Sequence, residues 1–171
     1  MLQHHVYNLK VAEIENIFCI EPLIRIVAEH QGLNADLVIK EVTDFIIAAL
    51  KSEFDVQVSS RAEKRIEFLL GAYSKEANTE KGLIDGLKTT LGKIDVPAIF
   101  EESRKVFQDA IDSSSLDQLL FIYNRKSLQS RIAHIFKLSK GEYTPLIIRL
   151  LKSEKKQAII EALKNYLPKL P

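Results

Sequence analysis

Glu13, Glu15 and Asn16 put two carboxylates and an amide into four positions of an otherwise apolar run, Val11-Ala12-Glu13-Ile14-Glu15-Asn16-Ile17-Phe18-Cys19. Oxygen donors of this kind suit a hard divalent cation such as Mg²⁺. On a strand Glu13 and Glu15 share a face. On a helix they diverge, and Glu13 instead shares a face with Asn16. Two carboxylates are fewer ligands than a full site needs. Acidic residues at a helix start also have a commoner use, complementing the helix dipole. A second constellation, Asn124-Arg125-Lys126, falls in a turn between two apolar-periodic segments. A lysine there could stabilise charge developing on a phosphate oxygen, or simply be an exposed turn residue. The remaining candidates are weaker. His4-His5 cannot hold zinc without further ligands, and His30 and His134 stand alone on helical segments. Cys19, the sole cysteine, sits in an apolar segment that suggests a buried thiol. No glycine-rich phosphate loop or nucleophile-elbow motif occurs, and the aromatics are not interleaved with basic residues.

The elements that must position these residues read as helices. The chain has 171 residues, of which 46% are hydrophobic and 27% charged, a globular composition. A short strand is expected at residues 4–11 and a short helix from Glu13 to Cys19. Pro22 starts the next helix and Gln31-Gly32 ends it. Asn34 caps a longer helix through Val38, Val42, Ile46 and Leu50. The pattern resumes at Ala62, so one long helix or two both fit. Residues 74–79 read as a connector. Further helices are expected around Leu83–Leu91, from Asp95-Val96-Pro97 to Ile111, and over Leu116–Tyr123, Leu128–Phe136, Pro145–Leu151 and Ala158–Leu167. Thr144 is expected to cap Pro145, and Ser153 the last helix. Gly82 and Gly86 have the spacing of a close helix contact, although ordinary packing is its usual meaning. Short loops argue for one compact body, a mainly α helical bundle. No apolar run is long enough to span a membrane, and the single cysteine fits a reducing, cytoplasmic setting.

The net charge of +1 conceals a polarity. Residues 1–124 carry a net −7 and residues 125–171 a net +8. A basic end can steer toward phosphates, or its lysines can be solvated helix faces.

Three segments resemble a Toprim-related domain of unknown function found in ATPase-linked bacterial proteins and related to the nuclease halves of the OLD and PARIS anti-phage systems. Leu9–Cys19 resembles its "L-x-V-x-E-I-E-N-hydrophobic" signature. Phe121-Ile122-Tyr123-Asn124-Arg125-Lys126-Ser127-Leu128 resembles its "Y-N-x-K-G-L" turn, with Ser127 in place of the glycine. Glu161-Ala162-Leu163-Lys164-Asn165-Tyr166-Leu167-Pro168 resembles its closing "A-L-R-K-Y-L-P". The resemblance implies a Mg²⁺- or Mn²⁺-dependent nuclease setting. Glu15, Glu13 and Asn16 would be ligands, and Glu15, Glu13 and Lys126 the groups nearest the chemistry. Arg125, Lys126 and Arg131 would be nucleic-acid contacts. An ATPase domain or subunit and DNA or tRNA would be partners, with a homo-oligomer left open and no membrane partner. The family's Asp-x-Asp strand should precede the Glu-Ile-Glu-Asn stretch, and no such pair does so here. The expectation is therefore a C-terminal region or short gene product. Residues 1–19 would end a Toprim-like α/β core, leaving a short N-terminal strand, and residues 20–171 would form a helical region. Such a chain is expected to be inactive alone. The alternative is a standalone helical protein-interaction module.

Overall fold

Pro22 lacks an amide hydrogen, so it is accommodated in a first helical turn, where that donor would have no partner. Helix α1 (Glu21–His30) starts around it and buries Leu23, Ile24, Val27 and Ala28. Its end is closed by Gly32 at φ +67°, with Gly32 N–H donating to Glu29 O and Leu33 N–H to Ala28 O. This double closure needs a left-handed residue, which glycine supplies without steric cost. In the computed structural model, residues 9–71 and 79–167 are described. All regular structure among them is helical.

Asn34 caps α2 (Ala35–Ser52) as expected, its Oδ1 accepting from Leu37 N–H at 3.1 Å. The helical pattern then breaks at Glu53, and α3 (Phe54–Gly71) follows, so the two-helix reading is the correct one. Most of the expected connector lies outside the described residues. Its last residue, Thr79, caps α4 (Glu80–Gly92) by accepting from Gly82 N–H at 3.1 Å. Asp95 Oδ1 accepts from Ala98 N–H and opens α5 (Val96–Ser113). Then come α6 (Leu116–Ile122), α7 (Leu128–Ile135), α8 (Tyr143–Leu150) and α9 (Lys156–Lys164). A 3₁₀ helix, Ile14–Cys19, precedes them all.

Several expectations are corrected. Residues 4–8 of the expected strand lie outside the described residues, and Leu9–Val11 form no strand. Among the described residues the backbone here is tied by the bond from Ala12 N–H to Leu120 O at 2.9 Å. Thr144 does not cap α8, because that helix starts a residue earlier. Its hydroxyl instead donates to Gln129 Oε1 at 2.8 Å. Ser153 accepts from Lys155 N–H and donates to Leu150 O, bridging the α8–α9 turn rather than capping α9. At Gly86 the glycine spacing marks no close helix contact, in line with its usual meaning, since a Cβ there would meet nothing within 4 Å.

In place of the single body expected from short loops, the chain divides into two compact units. The first is residues 1–49 with 113–171 and the second is residues 50–112, with the boundaries falling inside α2 and α5. In the first, the 3₁₀ helix packs on α1 and α7, α9 packs on α1, and α8 packs on α7. Ile20, Leu119, Leu128, Ile132 and Ile159 are fully buried there. In the second unit α3 and α5 bury Val58, Ala62, Phe107 and Ala110, with Phe54 edge-on to Phe107 at 6.4 Å. Helix α4 touches α3 but buries none of its own residues. No helix among the described residues is long and apolar enough to cross a membrane.

Candidate functional site: the Glu15–Lys126 pair

The backbone at Glu13 is extended (φ −123°, ψ 132°) and turns into the 3₁₀ helix at Ile14. This mixed conformation falls between the strand and helix cases considered from sequence. It brings both glutamates within electrostatic reach of one lysine. Lys126 Nζ lies 3.2 Å from Glu15 Oε1, and Glu13 adds a longer-range attraction. The pair is only partly sheltered, with side-chain exposures of 70% for Lys126 and 40% for Glu15. The Glu15 carboxyl is held below its ordinary range, chiefly by its own main-chain N–H and then by the Lys126 ammonium. Lys126 is pushed up in turn, first by the hydrogen bond to Glu15. Glu15 Oε2 is buried and meets no hydrogen-bond donor among the described residues.

Asn16 points the other way and is fully buried. Its Nδ2 donates to Tyr123 O at 3.1 Å, across 107 positions of sequence. A carbonyl can only accept, so this bond fixes the amide orientation and leaves Asn16 Oδ1 without a partner. Two further bonds pin the 3₁₀ helix. Gln129 Nε2 donates to Glu15 O, and Tyr143 Oη donates to Phe18 O at 3.0 Å. Gln129 is itself held by the Thr144 hydroxyl. Burial pushes the Tyr143 hydroxyl well up, so it remains a donor at any ordinary pH. Sequence reasoning missed Gln129 and Tyr143 and read Thr144 only as a helix cap. No signal in the sequence set Gln129 apart, because it is followed by two further polar residues, Ser130 and Arg131.

The closing segment joins the same region. Tyr166 Oη donates to Asp117 Oδ1 at 2.7 Å, and Lys10 Nζ lies 6.0 Å from the centre of the Tyr166 ring. The first of the three resemblance-carrying segments thus meets residues of each of the other two within one unit.

The expected nucleic-acid contacts are occupied within the fold. Arg131 stacks on Phe45 at 5.0 Å and lies 3.8 Å from Glu41, Lys126 faces Glu15, and Arg125 has an interaction of its own. Cys19 is fully buried and its thiol is pushed up by desolvation, as a core cysteine should be. His30 and His134 are exposed on their helices.

Among the described residues, no group of three or more His, Cys, Asp or Glu side chains is arranged to hold a metal ion. The residues present fall short of a full Mg²⁺ site, offering two carboxylates where more ligands are needed. Glu15 offers a carboxylate already paired with a cation, and Asn16 is committed to the core. No family model, curated protein or solved structure matches this chain.

Proposed function

We propose that this chain is the helical C-terminal region of a Toprim-like, ATPase-coupled nuclease of the anti-phage type, contributing Glu15 and Lys126 to a site completed by acidic residues from elsewhere. One observation carries the reading: Glu15 and Lys126, taken from two separate resemblance segments, meet at 3.2 Å on the surface of one unit. Mg²⁺ or Mn²⁺ would be the metal, DNA or tRNA the substrate, and an ATPase domain or subunit the partner. Within this chain, Gln129 and Asn16 hold the backbone on either side of Glu15, and Lys126 holds positive charge beside it.

The test is thermal melting with and without Mn²⁺ at millimolar concentration. A ligand that binds only the folded state stabilises it, by about 1.4 kcal/mol at ten times its dissociation constant. For a chain of this size that is a rise of about 3–6 °C. The rise should disappear in Glu15→Ala and grow in Lys126→Met, where the competing cation is gone. No metal effect in either protein removes the reading.

A second reading, a standalone helical protein-interaction module, is favoured by α4. Its apolar residues Leu83, Ile84, Leu87 and Leu91 are all exposed. Contiguous exposed apolar surface of this kind marks interaction sites. It predicts melting that is indifferent to divalent metal.

A further inference from the structure

The basic end of the chain sorts its cations into two sets. Lys126, Arg131 and Lys164 are ion-paired and Arg125 has a partner. Lys137, Lys140, Arg149, Lys152, Lys155 and Lys156 form no ion pair among the described residues, and all six fall within the twenty positions from 137 to 156. Only Glu142 and Glu154 oppose them there, leaving a net charge of +4.

The first of the six occupies a costly position. Lys137 lies at φ +55°, at the end of α7. Lys137 N–H donates to His134 O and Leu138 N–H to Ala133 O, the same closure that Gly32 provides after α1. Glycine is the favoured residue at this place, and a left-handed non-glycine residue costs about 1 kcal/mol. The chain thus keeps a lysine where a glycine would be more stable.

The two ends of the cluster are held apart by α8. Lys137 and Lys140 precede it, and Arg149, Lys152, Lys155 and Lys156 follow or end it. Eight helical residues span about 12 Å. That is about the width of the major groove of a duplex.

We infer that residues 137–156, the α7–α8 turn and the α8–α9 turn together, form a surface that binds the phosphate backbone of double-stranded nucleic acid without reading its sequence. A duplex fits better than the other polyanions. Membrane-surface segments need an apolar face beside their cations. Here Tyr143, Leu146, Ile147 and Ile159 of α8 and α9 are buried, and the single exposed Ile148 is too little to make such a face. Single strands are held by aromatic stacking as well as charge. The one aromatic in this stretch, Tyr143, is buried. What is left exposed is polar and mostly cationic, with Ile148 the one large apolar side chain among it, which suits phosphates. The inference gives the nucleic-acid half of the proposed function a location away from the Glu15–Lys126 pair.

The test is fluorescence anisotropy of a labelled random-sequence duplex across a salt series, in EDTA. The wild-type chain should bind with log affinity falling against log salt at a slope of about −3 to −5, near 0.9 per phosphate neutralised. Lys152→Gln/Lys155→Gln/Lys156→Gln should flatten the slope by about 2–3. A charge-matched control in the second unit, Lys64→Gln/Lys88→Gln/Lys93→Gln, should leave it within about one unit. Lys137→Gly separates binding from folding, because it should raise the melting temperature while weakening duplex binding roughly tenfold at about 0.05 M salt. The inference is overturned if the first triple variant binds like wild type, if the control loses as much, or if Lys137→Gly binds undiminished. It is also overturned if the wild-type chain binds no duplex, or binds phosphatidylserine vesicles instead. None of these outcomes touches the metal-dependent melting, which decides the nuclease reading separately.

Discussion

Asn16 has no solvent contact, and its side-chain amide donates to the main-chain carbonyl of Tyr123. Asn16→Ala removes that donor and should cost about 1–3 kcal/mol. Asn16→Asp should cost more at neutral pH, because a buried carboxylate would then face a carbonyl oxygen, and an uncompensated buried charge costs about 3–5 kcal/mol. Burial raises the pKa of such an aspartate in the folded state, so its penalty is absent at low pH and develops as pH rises. Denaturant melts of the two variants at pH 4 and pH 7 check this, and a pH-independent gap between them would contradict it. Glu15 has the opposite sign. Its folded-state pKa lies below the ordinary 4.5. Its contribution is therefore present above that value and lost as pH falls through the lower folded one. The stability difference between wild type and Glu15→Gln should shrink on acidification below pH 4.5. Lys126, with its pKa raised, leaves the pair intact through neutral pH.

At the scale of elements, the helix starts were legible because their chemistry is local. Asn34 and Asp95 each accept from an amide three residues on, and Pro22 lies in a first turn, whereas Thr79, read as the end of a connector, also proves to be a cap. The caps of the last two helices were misread for a matching reason. Thr144 and Ser153 are capping types, but Thr144 is drawn to Gln129, fifteen positions away, and Ser153 to the α8 carbonyl of Leu150. The resemblance-carrying residues were legible as types, whereas their meeting was not. The bond from Asn16 to Tyr123 and the contact of Glu15 with Lys126 leave no periodic trace in sequence. Gln129 is the clearest of the residues that could not be anticipated. It bridges the Glu15 carbonyl and the Thr144 hydroxyl, so it ties α7 to the 3₁₀ helix and to α8 at once. Gln129→Ala should cost about 1–3 kcal/mol, from losing two part-buried hydrogen bonds. It should also speed amide exchange across Glu15–Cys19. Tyr143→Phe, which loses only the bond to Phe18 O, should cost about half as much. Hydrogen–deuterium exchange on both variants separates a loosened 3₁₀ helix from a merely less stable fold.

At the scale of the molecule, the two units differ in how well they cover their own apolar surface. Leu119 of the first unit is fully buried, and Leu119→Ala should cost about 2–5 kcal/mol through lost contacts and the cavity left behind. Leu87 and Leu91 of α4 are 38% and 57% exposed, and no residue of that helix is buried. If α4 is bare in solution, Leu87→Lys/Leu91→Lys should change stability by no more than about 1 kcal/mol, as expected for exposed positions. Melting of the dilute wild type and of the double variant should then nearly coincide. If a second copy covers α4 instead, the wild-type melting temperature should rise with protein concentration, since association stabilises by mass action. The double variant should abolish that dependence, and sedimentation velocity should show it as the smaller species. Concentration-dependent melting lost on this substitution would make α4 an interface between copies. Concentration-independent melting in both proteins would leave its apolar face open to a different polypeptide, the outcome the interaction-module reading requires.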